Sequence, residues 1–325
     1  MSPLAEIRDL VISYRTGSGG LRALDGTDLI LTPGETVAVV GESGSGKSTL
    51  GMAIGRLLPG EAHCEGGTLS VAGTDVLNAD ADTLRALRRD KLGFVFQNPM
   101  SALDPTMRVG KQVARAMGGK PGQKEIEALL TRAELSEPGR VLRAFPHELS
   151  GGMAQRVVIA MAIARQPALL IADEPTASLD ASIREKIMAT LNRLRDETGA
   201  TLVVLSHDLR LIARHSDRVA VMYGGRVVED GAVETVLDAP AHPYTAALLS
   251  AAAGSEKPGE RLDPIPGMPP SLSGRCEACA FAPRCTFARE QCRTERPEPR
   301  VIAKRRVICH FAEDALAAPG AERRA

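Results

Sequence analysis

The chain is 325 residues long, and its 40 Lys and Arg residues balance 40 Asp and Glu residues, so its formal net charge is zero. This balance argues against a protein that binds nucleic acid through an overall basic surface and leaves only a local basic patch open. A composition of 44% hydrophobic and 25% charged residues is typical of a globular protein and excludes a chain that is disordered along its whole length. No apolar run approaches the roughly 18 residues of a transmembrane helix, and nothing in the first residues predicts a secretory signal.

Three short apolar runs predict strands covered on both faces of a parallel sheet: residues 36–40, 168–172 and 201–205. Residues 182–198, between the last two runs, carry a helical apolar face: Ile183, Ile187, Leu191 and Leu194. Gly199 stands at the expected C-terminal cap. Strand, helix and strand in this order predict an α/β fold, with its chemistry at the carboxyl ends of the strands.

The first of these strands leads into Gly41-Glu42-Ser43-Gly44-Ser45-Gly46-Lys47-Ser48, which fits the phosphate-binding loop pattern. Glycines let the backbone N–H groups approach phosphate oxygens closely. Lys47 would lie near the β- and γ-phosphates, and the Ser48 hydroxyl would bind Mg²⁺. An accidental Gly/Ser turn is the alternative, and the preceding strand argues against it.

Two acids, Asp173 and Glu174, follow the second strand. Asp173 can reach the Mg²⁺ ion directly or through water. Glu174 can orient or deprotonate the attacking water, which a Mg²⁺ ligand cannot also do. A solvated turn is the alternative for this pair. Together with the phosphate loop, the two acids predict nucleotide hydrolysis.

Between loop and acids lies Leu149-Ser150-Gly151-Gly152-Met153, at the start of an apolar helix over residues 155–165. Alone, such a turn is an ordinary helix cap and anion nest. In this order, however, the motifs resemble those of the ATP-binding cassette (ABC) family over roughly residues 5–239. The resemblance implies an α/β P-loop ATP-binding cassette (residues 1–239) with an inserted helical subdomain at about residues 79–165.

The resemblance gives four further residues a function. Gln97, in Val95-Phe96-Gln97-Asn98-Pro99, matches the glutamine loop, which contacts Mg²⁺ or its water and leads to a membrane-facing groove. His207 matches the switch histidine at the γ-phosphate, and Asp180, in Ser178-Leu179-Asp180, matches the aspartate loop of the dimer interface. Tyr14 lies where the family places a ring that stacks on adenine. Taken singly, they could be a loop amide, a strand-end histidine, a helix cap and a core aromatic.

The resemblance therefore implies Glu174, His207 and Gln97 as catalytic residues, and Ser48, Gln97 and Asp173 as Mg²⁺ ligands. It implies a larger set of ATP contacts: Tyr14, Gly41, Ser43, Gly44, Ser45, Gly46, Lys47, Ser48, Thr49, Ser150, Gly151, Gly152 and Asp180. In the family two cassettes face each other head to tail. Each ATP lies between the phosphate loop of one cassette and the Ser-Gly-Gly turn of the other, so an isolated subunit should be a poor ATPase.

Residues 240–314 resemble the C-terminal extension of oligopeptide and dipeptide importer subunits, and residues 315–325 read as a frayed tail. The resemblance rests on three motifs: Ala241-His242-Pro243-Tyr244-Thr245, Pro264-Ile265-Pro266-Gly267, and the sequence Pro146-His147-Glu148 before the Ser-Gly-Gly turn. The subfamily's cysteine pattern is matched by Cys279-x5-Cys285-x6-Cys292 and Cys309, leaving Cys276 and Cys64 outside.

Four thiolates suit either tetrahedral zinc or a [4Fe–4S] cluster, and the spacing is typical of neither. Cys276-x2-Cys279 alone would suggest zinc. The resemblance to peptide importers favours the iron–sulfur cluster, with zinc and free thiols as the alternatives.

The whole pattern predicts the ATPase subunit of an importer of di- and oligopeptides, peripheral on the cytoplasmic face of the cell membrane. The resemblance implies a second ATPase subunit, which we expect to be a homologue, two permease subunits and an extracytoplasmic peptide-binding protein, with no nucleic-acid partner. Nickel, opine or antibiotic-peptide uptake by the same motor is the main alternative. A non-transport ABC ATPase acting on ribosomes or DNA is disfavoured. Such proteins usually carry two cassettes or a long coiled coil, whereas this sequence has one Ser-Gly-Gly turn of this kind and no heptad array.

Overall fold

The computed structural model describes residues 2–17, 19–177, 179–253 and 265–317. The chain divides into two compact units. The first unit comprises Met1–Leu4, Thr32–Thr36 and Asn78–Leu205, and the second comprises Ala5–Leu31, Val37–Leu77 and Ser206–Ala325.

The strands of the described residues are, in chain order, β1 (Ala5–Thr16), β2 (Gly19–Leu31), β3 (Thr36–Val40), β4 (Ala62–Val71), β5 (Thr74–Asp75), β6 (Leu92–Val95), β7 (Leu169–Asp173), β8 (Thr201–Ser206), β9 (Arg218–Tyr223), β10 (Arg226–Ala232), β11 (Arg300–Ile302) and β12 (Arg305–Val307).

The α-helices of the same residues are α1 (Lys47–Ile54), α2 (Ala81–Asp90), α3 (Pro99–Ala102), α4 (Val109–Met117), α5 (Gln123–Arg132), α6 (Pro138–Val141), α7 (Gly151–Ile163), α8 (Ala181–Thr198), α9 (Leu209–His215), α10 (Val233–Asp238), α11 (Pro243–Ala253), α12 (Glu290–Thr294) and α13 (Ala312–Ala317). Short 3-10 turns occur at Pro146–Glu148 and Ala282–Arg284.

Three parallel strands, in the order β8-β7-β6, form the sheet portion of the first unit. Each residue of β7 and β8 is buried, as the continuous apolar runs predict. In the β7–β8 register Leu169 lies opposite Thr201 and Asp173 opposite Leu205. Asp173 therefore lies at the carboxyl edge of this portion.

Helix α8 connects β7 to β8, which confirms the predicted strand, helix and strand. Its buried face holds Ile187, Leu191 and Leu194, each at most 1% exposed. Full burial of such a side chain stabilises the fold by about 1.5–3 kcal/mol. The helix ends at Gly199, whose left-handed φ of 67° lets its N–H reach the Arg195 carbonyl.

Helices dominate the first unit between residues 81 and 163, where α4 and α5 both pack against α7. Helix α7 is the most buried of these, with Val157, Ile159 and Ala160 at 0% exposure. Its apolar sequence is explained by contacts on several sides.

The second unit contains the antiparallel sheet β2-β1-β4-β5 and the strand order β11-β12-β10-β9-β3. Strands β3 and β9 are parallel, whereas β12 pairs with β10 in antiparallel register, Glu229 opposite Val307. The C-terminal segment is thus hydrogen-bonded to the unit that carries the phosphate loop. No helix among the described residues is both long and apolar enough to span a bilayer.

Candidate nucleotide site and cysteine cavity

The phosphate loop (residues 41–48) runs from the end of β3 into the first turn of α1. Gly46 precedes α1 with a φ of 105°, and a Cβ there would lie 2.6 Å from the Ala23 carbonyl oxygen. Only glycine both adopts this φ without strain and lacks the Cβ that would make this contact. The loop therefore turns tightly and leaves its backbone open toward a ligand, with Ser43 and Gly44 exposed at its tip.

Two side chains inside the loop suit an anion. Lys47 is 7% exposed, and its Nζ donates to the carbonyl oxygens of Gly41 at 2.7 Å and Glu42 at 3.0 Å. A carbonyl orients an ammonium without cancelling its charge. Ser45 Oγ is buried and has no hydrogen-bond partner among the described residues. Because a buried hydroxyl without a partner costs free energy, a phosphate oxygen would satisfy it.

Tyr14, on β1, lies beside the helix that follows the loop. Its Oη is 3.2 Å from Thr49 Oγ1, and its ring is half-buried. Ser48, the predicted Mg²⁺ ligand, is half-buried in the first turn of α1. The second unit thus brings Tyr14, Thr49 and the loop together.

Glu42 is held through both its backbone and its side chain, although no sequence motif assigns it a function. Its backbone N–H donates to Tyr244 Oη at 2.8 Å, and its carboxylate accepts from Arg284 at 2.7 and 3.0 Å. The loop pattern leaves this position unspecified, so only the His-Pro-Tyr motif at residues 242–244 hinted at it.

The acid pair lies in the first unit at the end of β7. Asp173 is 8% exposed. Glu174 has a left-handed φ of 46°, and its N–H donates to the Leu205 carbonyl at 2.9 Å. That backbone costs a non-glycine residue about 1–3 kcal/mol, so the surrounding structure must hold the Glu174 backbone in this conformation.

Gln97 follows β6 at the same edge of the β8-β7-β6 portion, and its side chain is exposed. Beside it lies a groove with an aromatic pair, Phe94 and Phe96, whose ring centroids are 4.4 Å apart. Four arginines also line this groove: Arg88, Arg89, Arg115 and Arg165.

The Ser-Gly-Gly turn and the aspartate loop lie together in the first unit. Ser150 caps α7, since its Oγ accepts from the Met153 N–H at 3.3 Å. A Cβ on Gly151 would lie 3.9 Å from Leu179. Asp180 is exposed at the N-cap position of α8, with no side-chain cap bond among the described residues. Ser178 lies outside those residues, and His207 is exposed in the second unit directly after β8.

Cys279, Cys285, Cys292 and Cys309 line one small cavity of the second unit, which we call the cysteine cavity. The other two thiols are engaged elsewhere. Cys276 Sγ donates to the Ala278 carbonyl at 3.2 Å, and the exposed Cys64 donates to Gly66.

Three of these cysteines belong to a repeated Cys-x-Phe pattern, at residues 279–281, 285–287 and 309–311. In each repeat the phenylalanine N–H is directed at the cysteine sulfur, and its ring lines the cavity. The spacing of Cys and Phe shows this repeat in the sequence, whereas its contact with the sulfurs emerges only in the fold.

Burial, together with a smaller contribution from the neighbouring thiols, raises the pKa of Cys279 to about 11 and that of Cys309 to about 12. Burial also raises the pKa of Cys285. The sulfurs are thus close enough for ionisation of one to oppose that of another, a repulsion that a cationic centre reverses. Within the described residues, no group of three or more His, Cys, Asp or Glu side chains is arranged to hold a metal ion.

Known proteins match both parts of the chain. Residues 24–177 match the ABC transporter family, and residues 228–292 match the oligopeptide/dipeptide transporter C-terminal region. Over 304 residues the chain is 39% identical to a protein of Brucella abortus named as a peptide import ATP-binding protein, covering 92% of this chain and 91% of that protein. The chain belongs to the ABC transporter family.

Another relative is the oligopeptide transport ATP-binding protein OppD of Mycobacterium tuberculosis, 44% identical over 306 residues, which are 92% of this chain and 50% of that protein. The chain thus spans about half the length of that relative. The dimeric post-hydrolysis structure of the cassette MJ0796 with ADP and Pi has a TM-score of 0.64 and 34% identity, covering 70% of this chain and 98% of that one. For cbiO1 of Clostridium perfringens, part of the cbiONQ transporter complex, the TM-score is 0.62 at 28% identity, covering 73% and 91% of the two chains.

These comparisons confirm the resemblance stated from the sequence, including its peptide-importer branch. They also confirm the α/β cassette fold of the ABC transporter family. The individual functions of the site residues stay predictions.

Proposed function

We propose that the chain is the ATP-hydrolysing subunit of an ABC importer that powers uptake of di- and oligopeptides. The observation that carries this is a phosphate loop with a buried lysine and an unsatisfied buried hydroxyl, in a chain whose C-terminal part matches the oligopeptide/dipeptide transporter region.

In the proposed reaction, Lys47 and the loop N–H groups bind the β- and γ-phosphates of ATP, while Tyr14 stacks on adenine. Ser48, Gln97 and Asp173 hold Mg²⁺, which neutralises phosphate charge when bound. Glu174 orients the attacking water and takes its proton, and His207 contacts the γ-phosphate.

We further propose that ATP closes two cassettes head to tail, with Ser150, Gly152 and Asp180 acting at the partner's nucleotide. The second cassette is a homologue in this proposal. The groove of Phe94 and Phe96 receives a permease subunit, which places the chain at the cytoplasmic face of the inner membrane. An extracytoplasmic binding protein delivers the peptide.

Co-purification tests the cargo. The tagged chain is purified with its associated subunits, and the ligand of the co-purifying binding protein is identified by mass spectrometry. Peptide in that pocket supports the proposal. A nickel chelate, an opine or an antibiotic peptide in its place moves the function to that cargo.

We also propose that the cysteine cavity holds a [4Fe–4S] cluster through Cys279, Cys285, Cys292 and Cys309. Four sulfurs around one cavity support this, as do the backbone N–H groups that three of them receive. Such N–H groups stabilise thiolates, and four thiolates are the ligand set of this cluster.

Metal and sulfide analysis separates the cluster from zinc. We expect anaerobically purified protein to be brown, with iron and acid-labile sulfide in equal amounts, four of each per chain. Cys309→Ser should lose the colour, and Cys276→Ser, the matched control outside the cavity, should keep it. Zinc without iron, or equal loss in both variants, would contradict the proposal.

A further inference from the structure

The second residue of the phosphate loop is clamped by the cysteine-rich segment. The Arg284 guanidinium donates from Nη1 to Glu42 Oε2 at 2.7 Å and from Nη2 to Oε1 at 3.0 Å. The Arg284 side chain is 4% exposed and that of Glu42 is 25% exposed. A bidentate pair of this kind fixes the carboxylate in direction as well as in distance.

Arg284 is itself immobilised. Its Nε donates to the Pro266 carbonyl at 2.7 Å, and its Nη2 also donates to the Ile265 carbonyl at 3.2 Å. Its Nη1 lies 3.3 Å from Tyr223 Oη. Glu42 therefore binds a cation whose position is set by the tail.

Tyr244 holds the backbone of the same loop residue. It is fully buried, and its ring packs 4.5 Å from Tyr223 and 5.4 Å from Phe281 between centroids. The buried Glu229 carboxylate fixes the start of this segment by accepting the N–H groups of Ala241 and His242.

The contacts of Arg284 and Tyr244 with Glu42 are both connected to the cysteine cavity. Arg284 directly precedes Cys285, and Phe281, which packs on Tyr244, directs its N–H at Cys279. The stretch from Cys279 to Cys285 thus carries two cavity cysteines, the guanidinium of the clamp and the ring that supports Tyr244. We call this stretch the clamp arm (residues 279–285).

We propose that Arg284 is a positioning residue for nucleotide binding, and that the cysteine cavity, by fixing the clamp arm, sets the affinity of the phosphate loop for MgATP. Arg284 keeps the Glu42 carboxylate turned from the loop's anion side and offsets its charge. When the arm shifts, an uncompensated carboxylate stands beside the phosphates and repels them. The inference rests on the proposed nucleotide site at the loop.

A rescue experiment tests the clamp in the full chain, purified with its partner subunits. The probe is the Mg²⁺ complex of a non-hydrolysable ATP analogue, and its dissociation constant is measured. Arg284→Met should weaken binding about tenfold. Adding Glu42→Gln should restore most of it, because the repelling charge is gone. A purely structural arginine would show no such rescue.

Two further variants control for general damage to the tail. Arg275→Met removes a tail arginine whose exposed ion pair, with Glu277 at 3.9 Å, involves no residue that lines the cysteine cavity. It should change the affinity less than about twofold. If Arg284→Met does not fold, Arg284→Lys, which keeps the charge but loses the bidentate geometry, should weaken binding to a smaller extent.

Cys285→Ser tests the link to the cavity. It should weaken analogue binding in the native chain and add nothing in the Arg284→Met background, because both changes act through one arm. Any one of three results would overturn the inference. These are an unchanged affinity in Arg284→Met, no rescue of that variant by Glu42→Gln, and an equal effect of Cys285→Ser in both backgrounds. If Lys47→Ala also leaves the affinity unchanged, the proposed nucleotide site itself is wrong.

Discussion

The Lys47 ammonium lies 2.7 Å from the carbonyl oxygen of Gly41, six residues earlier in the chain. The side chain therefore folds back over its own loop, where phosphates would meet both the ammonium and the loop N–H groups. Lys47→Ala should weaken MgATP binding roughly 100-fold, because it removes a charge-assisted contact. Isothermal titration checks this, with the exposed Lys111→Ala as the matched control. Equal affinities in the two variants would contradict the site.

The glycine before α1 gives a steric test of the same loop. Gly46→Ala would press a Cβ on the Ala23 carbonyl at 2.6 Å and strain a φ of 105°. We expect nucleotide affinity to fall at least about tenfold, because the loop must open to relieve the contact. Gly60→Ala, where no atom lies within 4 Å, should bind as the native chain does. Native affinity in Gly46→Ala would show that the loop conformation is not needed.

Glu174 should matter for hydrolysis and not for binding. In the assembled complex, Glu174→Gln should slow ATP turnover about 100-fold or more while the MgATP dissociation constant stays within about twofold, since an amide cannot accept the proton of water. Single-turnover kinetics and titration separate the two effects. Glu137→Gln, which breaks an exposed ion pair with Arg140, serves as the control. Native turnover in Glu174→Gln would remove this residue from its proposed function.

His242 makes stability depend on pH. Burial lowers the pKa of His242 to about 3, below its ordinary 6.5, so the folded chain keeps it neutral. Between these values the unfolded chain binds the extra proton, and stability therefore falls as the pH drops below 6.5. From pH 7 to 5.5 the loss is about 1 kcal/mol. Urea unfolding should show this loss in the native chain and in the exposed-histidine control His147→Gln, and a smaller loss in His242→Gln. Equal losses in all three would contradict it.

Local patterns predicted the parts of the fold that depend on neighbouring residues. The runs at residues 36–40 and 201–205 form strands, and Gly199 ends α8 in the left-handed conformation. The loop and the cysteine set could also be proposed from residue types and spacing alone. The residues that surround the loop and the cysteines could not be predicted in this way.

The ion pair of Glu42 and Arg284 shows why the sequence alone does not predict the surroundings of the phosphate loop. Glu42 and Arg284 are 242 positions apart, and neither carries a local signal for the other. Tyr244 was visible within a family motif, but its hydroxyl contact with the Glu42 N–H depends on how β12 pairs with β10 and on how Glu229 holds Ala241. Such contacts follow from tertiary packing, which periodicity and motif spacing do not encode.

Peptide transport by a reconstituted complex is the decisive test of the proposed function. The chain, its partner cassette and the permeases are placed in vesicles, and the peptide-loaded binding protein is supplied on the side opposite the ATPases. We expect peptide accumulation that requires ATP and is lost with Glu174→Gln. ATP hydrolysis with no peptide accumulation, alongside uptake of a metal chelate, would contradict it.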